Sequence, residues 1–223
     1  HTLTTFAQID FRRARRRGKK GRRARRVQAC LKHALTLQSE HKHCGKCAGP
    51  TGWTYEHILA ATQASSECFR ATHRFVNLIL SGELPRAGFL LESSLVGTQK
   101  PSGGVRPIAI GETWYRLAMH CALGALGREV GESLAPLQVG VGTSGGVEAV
   151  AHAVATALAA DPEHILLSID MENAFNTLDR GAMLAAVRRH VPQMLPVMQW
   201  AYGGATTLHV LGEPPGTTVE SQR

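Results

Sequence analysis

Asp170 closes the apolar run Ile165-Leu-Leu-Ser-Ile169, and Ala174 and Phe175 stand just beyond it. A run of this length reads as a buried strand, and a strand that ends on a carboxylate carries charge to the edge of a core. A carboxylate placed there, before a tight turn, is a hard oxygen ligand suited to Mg²⁺. The plain alternative is an Asp that caps the turn after the strand. Lys100 and Arg106 flank the glycine turn in "QKPSGGVRPIAI" (99–110), which sets two cations on a hairpin, as a phosphate clamp requires. A metal carboxylate and a cationic hairpin suit phosphoryl transfer, and a polyanion-binding arm elsewhere in the chain directs that chemistry to a nucleic acid.

That arm is residues 12–26, "RRARRRGKKGRRARR", with Arg12, Arg13, Arg15, Arg16, Arg17, Lys19, Lys20, Arg22, Arg23, Arg25 and Arg26 and no acid. The formal net charge is +8, yet outside these 11 cations the chain has 14 basic residues against 17 acidic ones. The basicity therefore belongs to the arm. A block of like charge repels itself, and its natural partner is a polyanion, bound with counterion release and strong salt dependence. The same block reads as a nuclear-import signal, which points to a nuclear setting. Membrane binding would need large apolar residues among the arginines, and only Ala and Gly interrupt them.

Two other groups of residues invite chemistry. Gly140, Gly142 and Gly145 spell G-x-G-x-x-G, followed by a helical pattern and the run that ends in Asp170, the order of a dinucleotide-binding βαβ unit. That unit needs a strand leading into its first glycine, and Pro136 leaves only three residues for one. Cys30, His33, Cys44 and Cys47 have zinc-like pair spacing. The competing reading makes Cys30 a core residue and the others plain thiols. Five cysteines, an odd number without secretory cues, suggest an intracellular, reducing compartment.

These residues must be positioned by a mixed set of elements. Apolar spacing predicts helices over 27–38, over 67–80 with Cys68, Thr72, Phe75, Val76 and Ile79 on one stripe, and over 114–130 with Trp114, Leu117, Ala118, Cys121 and Ala125 facing inward. Further helices are expected over 147–160, over 180–190 behind an Asp179 cap, and over 192–202. Strands are expected on both sides of the 101–104 turn, over 165–169, and as a hairpin around Pro214 and Pro215. Without strict alternation this is α+β. No apolar stretch of spanning length is free of His or charge.

The segments "GPTGW" (49–53), "QKPSGGVRPIAI" (99–110), "LQVGVGTSGGVEAVAHA" (137–153) and "LLSIDMENAFNTLDR" (166–180) together resemble a reverse transcriptase. The closest likeness is to the RNA-directed DNA polymerases of site-specific non-LTR retrotransposons. The resemblance implies a right-hand polymerase with fingers at 49–160 and the first part of a palm at 161–223; before them, charge and spacing set a disordered basic arm at 1–26 and a helix and Cys/His linker at 27–48. It implies that Asp170 and the Met171 backbone carbonyl hold two Mg²⁺ ions. It makes Phe175 the gate against a ribose 2′-hydroxyl, with Ala174 leaving room beside it, and Lys100 and Arg106 the grip on the dNTP triphosphate. Gly142, Gly145 and Gly146 then open a helix along the template. The implied partners are an RNA template, a DNA primer or target, dNTPs and the remainder of a polymerase chain.

One departure matters. The family completes its metal site with an aromatic-x-Asp-Asp turn, and no Asp-Asp pair occurs in these 223 residues. Two metal ions need carboxylates from both places, so the chain alone is expected to be inactive. The start at His1, without an initiator Met, and the end at "ESQR", which resembles the opening of the next palm motif, read as a fragment. The helices after Gly181 are then expected to lack sheet partners and to pack poorly.

Overall fold

The computed structural model describes residues 30–31, 48–85, 88–101, 103–141, 143–161, 163–171 and 174–221. The arm at 12–26, His33, Cys44, Cys47 and Gly142 lie outside these residues, as does the side chain of Phe175. The described chain is mixed α and β and divides into two compact units, one of residues up to 125 and from 193 to 222, the other of 126–192.

The first unit begins with α1 (Tyr55–Ala64) and α2 (Ser66–Ser81). Thr54 caps α1 by accepting from the His57 N–H, while the His57 ring accepts from the Thr54 N–H, a capping box with His in the place usually held by Glu or Gln. Ser65 caps α2, and Gly82 ends it in the left-handed conformation at φ +67°. A Cβ on Gly82 would also lie 2.6 Å from the Pro196 carbonyl oxygen, so this glycine serves both the helix stop and a close approach. A short α3 (Gly88–Leu91) leads into β1 (Ser93–Gln99) and β2 (Val105–Gly111), an antiparallel pair in register from Ser93↔Gly111 to Gln99↔Val105.

α4 (Thr113–Leu134) follows and runs from the first unit into the second. The second unit continues with α5 (Gly146–Ala160), a short α6 (Ala174–Thr177) and α7 (Arg180–His190). A 3₁₀ turn (Pro192–Met194) precedes α8 (Leu195–Tyr202), β3 (Thr206–Val210) and β4 (Thr218–Ser221), which return to the first unit. The sheet order is β2-β1-β3-β4, with β1 and β3 parallel and the outer pairs antiparallel. Pro107 is tolerated because β2 is an edge strand. His209 on β3 pairs with Glu92 at 2.9 Å, tying the sheet to the end of α3.

The core is built by α1 (Tyr55, Ile58), α2 (Val76, Ile79, Leu80), the first half of α4 (Leu117, Ala118, Cys121, Ala122) and α8 (Val197, Trp200, Ala201). Of the expected α2 stripe Thr72, Val76 and Ile79 are buried and Phe75 is half-buried, but Cys68, a turn earlier, is exposed. On α4, Trp114 and Ala125 are half-buried at the ends of an enclosed middle.

Two expectations fail. Residues 164–171 form no strand; Ile165 is 92% exposed and Leu167 77%. A strand needs a neighbour for its backbone N–H and C=O groups, and the second unit contains no other strand among the described residues. The chain after Gly181 is not uniformly loose either. α7 buries nothing, but α8 packs on α2 and β3 joins β1, so the C-terminal residues gain the neighbours they were expected to lack. Among the described residues no helix is long and apolar enough to cross a membrane.

Candidate functional site

The β1–β2 hairpin presents Lys100 and Arg106. Its strands form because Leu95, Val96, Val105, Ile108 and Ile110 favour extended backbone, and its tip turns because Gly103 and Gly104 take φ of +86° and +87°. The Lys100 N–H donates to the Gly104 carbonyl and the Gly103 N–H to the Lys100 carbonyl, both at 3.0 Å. Arg106 sits opposite Thr98, and Lys100 follows Gln99, the last residue of β1. Both cations are exposed, and neither side chain has a carboxylate partner among the described residues. The hairpin's outer half stands in solvent, with Val105 and Ile108 exposed as well. This arrangement can bind a small polyanion without first breaking ion pairs.

Asp170, Met171, Ala174 and Phe175 lie in the second unit, between α5 and α7. Asp170 is exposed on irregular backbone, and its carboxylate has no hydrogen-bond or ion-pair partner among the described residues. Met171 is 73% exposed, and Ala174 opens α6. Asp179 accepts from the Ala182 N–H and caps α7, as its position before that helix predicts. The donors available at Asp170 are one carboxylate and a neighbouring backbone carbonyl, and no cluster of three His, Cys, Asp or Glu that could hold a metal occurs among the described residues. That set by itself does not fit two Mg²⁺ ions. The hairpin cations and Asp170 belong to separate units, so each group stands on its own geometry.

The glycine cluster has a backbone explanation. Gly145 caps α5 at φ +65°, and a Cβ on Gly146 would collide with the Val139 carbonyl. The dinucleotide reading fails here: residues 135–141 are turns and coil, and residues 163–171 are coil, so α5 has no strand on either side among the described residues. Without those strands the βαβ frame that aims a pyrophosphate at the helix does not form.

Cys30, the one candidate zinc ligand within the described residues, is half-buried on a helical turn beside fully buried Leu31. Its Sγ would lie 3.3 Å from a Cβ on Gly124 of α4. The Cys121 thiol is pushed up to about 12 by burial and then by Cys30 nearby, so it stays protonated and inert.

The "GPTGW" segment (49–53) reads as a turn cluster from its residues, but what holds that turn in place is not legible there. Glu112 is fully buried between β2 and α4; its carboxylate accepts from the Thr51 N–H at 3.2 Å and the Thr113 N–H at 2.9 Å. A lone Glu after a strand carries no mark of a partner 61 residues away. Thr113 Oγ1 in turn donates to the Trp53 carbonyl at 2.6 Å. With this geometry in view, a scan against protein-family models and a search of the curated proteins found no match to the chain.

Proposed function

We propose that this chain is part of an RNA-directed DNA polymerase of the non-LTR retroelement kind. It would contribute the fingers and the first part of a palm to an enzyme that extends a DNA 3′ end by copying RNA. The observation that carries this reading is the β1–β2 hairpin, whose glycine tip holds Lys100 and Arg106 exposed and without a carboxylate partner among the described residues. A phosphate clamp needs cations in that state, and the basic run at 12–26 supplies the complementary grip on a polynucleotide. In this reading Asp170 contributes one metal carboxylate and Phe175 senses the sugar. Mg²⁺, when bound in the completed enzyme, would stabilise charge on the reacting phosphate. The chain by itself does not polymerise, since no Asp-Asp pair stands in it.

The test is binding by the whole 223-residue chain. Single-stranded RNA should bind with an affinity that falls steeply with salt, and removing residues 12–26 should flatten that slope. A fluorescent dNTP should bind weakly, and Arg106→Ala should weaken it several-fold further. RNA binding without any triphosphate binding would favour a non-catalytic nucleic-acid-binding protein or a degenerate copy of the element. Binding of neither ligand would end the polymerase reading.

A further inference from the structure

The turn at residues 49–53 is fixed from several sides. Its own closure is the Gly52 N–H donating to the Gly49 carbonyl at 3.0 Å, with Gly52 at φ +79°. Glu112 holds the Thr51 N–H, and Thr113 holds the Trp53 carbonyl. A Cβ on Gly49 would sit 2.6 Å from the Glu112 Cα, so the turn is pressed onto the start of α4. A fully buried carboxylate is costly unless its oxygens accept hydrogen bonds, and one of its two partners here is this turn.

What the turn holds up is Trp53. Its ring lies 5.5 Å from Trp114, which meets Phe75 edge-on at 5.2 Å, and His57 stands edge-on to it at 6.1 Å. Despite these anchors the residue remains 41% exposed. It borders an open groove of about 420 Å³ lined also by Thr51, Gly52, His57, Ala60 and Ala61. Apart from Trp53 and His57 these lining residues are small, and none of them is a carboxylate.

We propose that Trp53 is a stacking platform for an unpaired base of a single-stranded nucleic acid. An aromatic ring set before the ligand arrives gives up little freedom on binding, and every base offers a flat face to it. The occupant follows from charge. Residues 41–47, His-Lys-His-Cys-Gly-Lys-Cys, lead into the turn without an acid, and 11 of the 25 Lys and Arg stand upstream at 12–26. A phosphate backbone is the partner that this cationic approach and acid-free groove suit together. The inference rests on the nucleic-acid reading above and adds the residue that meets the base.

The experiment compares wild type, Trp53→Ala, Trp53→Leu and Trp53→Phe as whole chains, titrated with a fluorescein-labelled short oligoadenylate RNA and with blunt duplex RNA. Leucine keeps an apolar contact for Trp114 but has no aromatic face. Alanine and leucine should each weaken single-strand binding about tenfold. Phenylalanine should weaken it less, and the duplex should bind all four alike. The salt slope should not move, since no cation is lost. Wild-type tryptophan emission should be quenched by unlabelled oligoadenylate, and Trp53→Phe should lose that quenching whatever its stability.

Equal affinity in the leucine variant, equal loss for strand and duplex, or no quenching would overturn the platform while leaving the nucleic-acid reading standing. Wild type that binds no RNA would end both. A free-chain sedimentation shift that the variants abolish would assign the Trp53 face to self-association, and the platform would fall.

Discussion

Among the described residues, the buried apolar side chains all belong to the unit of residues up to 125 and from 193, save Leu126; in the unit of 126–192, segments just as apolar lie open. The contrast is sharpest between α2 and α5. α2 gathers Val76, Ile79 and Leu80 on one side, with Arg70 and Arg74 exposed, and packs on α1 and α8. α5 reads Gly-Val-Glu-Ala-Val-Ala-His-Ala-Val-Ala-Thr-Ala-Leu-Ala-Ala, with Val147, Val150 and Leu158 exposed and only Gly146 buried. Alanine's intrinsic propensity suffices to make α5 a helix, but each small side chain has little area to bury. Helix formation is a local matter; a core requires large apolar groups and a partner that reaches them. The same distinction separates β1, paired on both sides, from the strand-like run 165–169, paired on neither among the described residues.

The largest effect that could break this contrast lies in amide hydrogen exchange. Amides of β1 and of the buried middle of α4 should exchange on the order of a thousandfold more slowly than those of 165–169. Comparable protection in the two would mean that the apolar run is paired in solution. Side-chain truncation gives the next largest difference. Leu117→Ala should destabilise the first unit by about 2–5 kcal/mol in urea unfolding, whereas Leu167→Ala should change stability by no more than about 0.5 kcal/mol. A large loss from Leu167→Ala would show a hidden core in the second unit.

Glu112 sharpens the comparison from within the packed unit. Glu112→Ala leaves the Thr51 and Thr113 N–H groups without their acceptor and should cost about 2–4 kcal/mol. Glu112→Gln keeps one acceptor oxygen and should cost less; equal loss in the two variants would mean that charge, not hydrogen bonding, is what the site needs. The smallest effect concerns pH. Burial holds His73 on α2 below its usual range, so the folded state favours the neutral ring. Its contribution is present above about pH 6.5 and is lost as pH falls from there through the lowered folded value. The acid limb of stability should therefore shrink in His73→Gln, and an unchanged limb would assign it to other groups.

The hairpin cations could be found from sequence because the 101–104 turn and its flanking strands are specified by neighbouring residues. Asp170 could be found as a carboxylate after an apolar run, but its surroundings could not, since the strand expected to hold it depends on partners far along the chain. Trp53 was visible only as the last residue of the "GPTGW" segment. The ties of its turn, Thr51 to Glu112 and Trp53 to Thr113, join residues some sixty positions apart, a distance at which local pattern carries no signal.

Local chemistry in the sequence determined most of the long helices, though not α1, together with the cap at Asp179, the glycine tip of the hairpin, the mixed class and the concentration of positive charge at 12–26. Each follows from interactions spanning a few residues. Tertiary structure alone decided that β3 runs parallel to β1, that α8 closes the core against α2, that Glu112 braces a distant turn, and that 165–169 remains unpaired. Those outcomes turn on which surfaces meet, and a surface's partner is not encoded in its own residues.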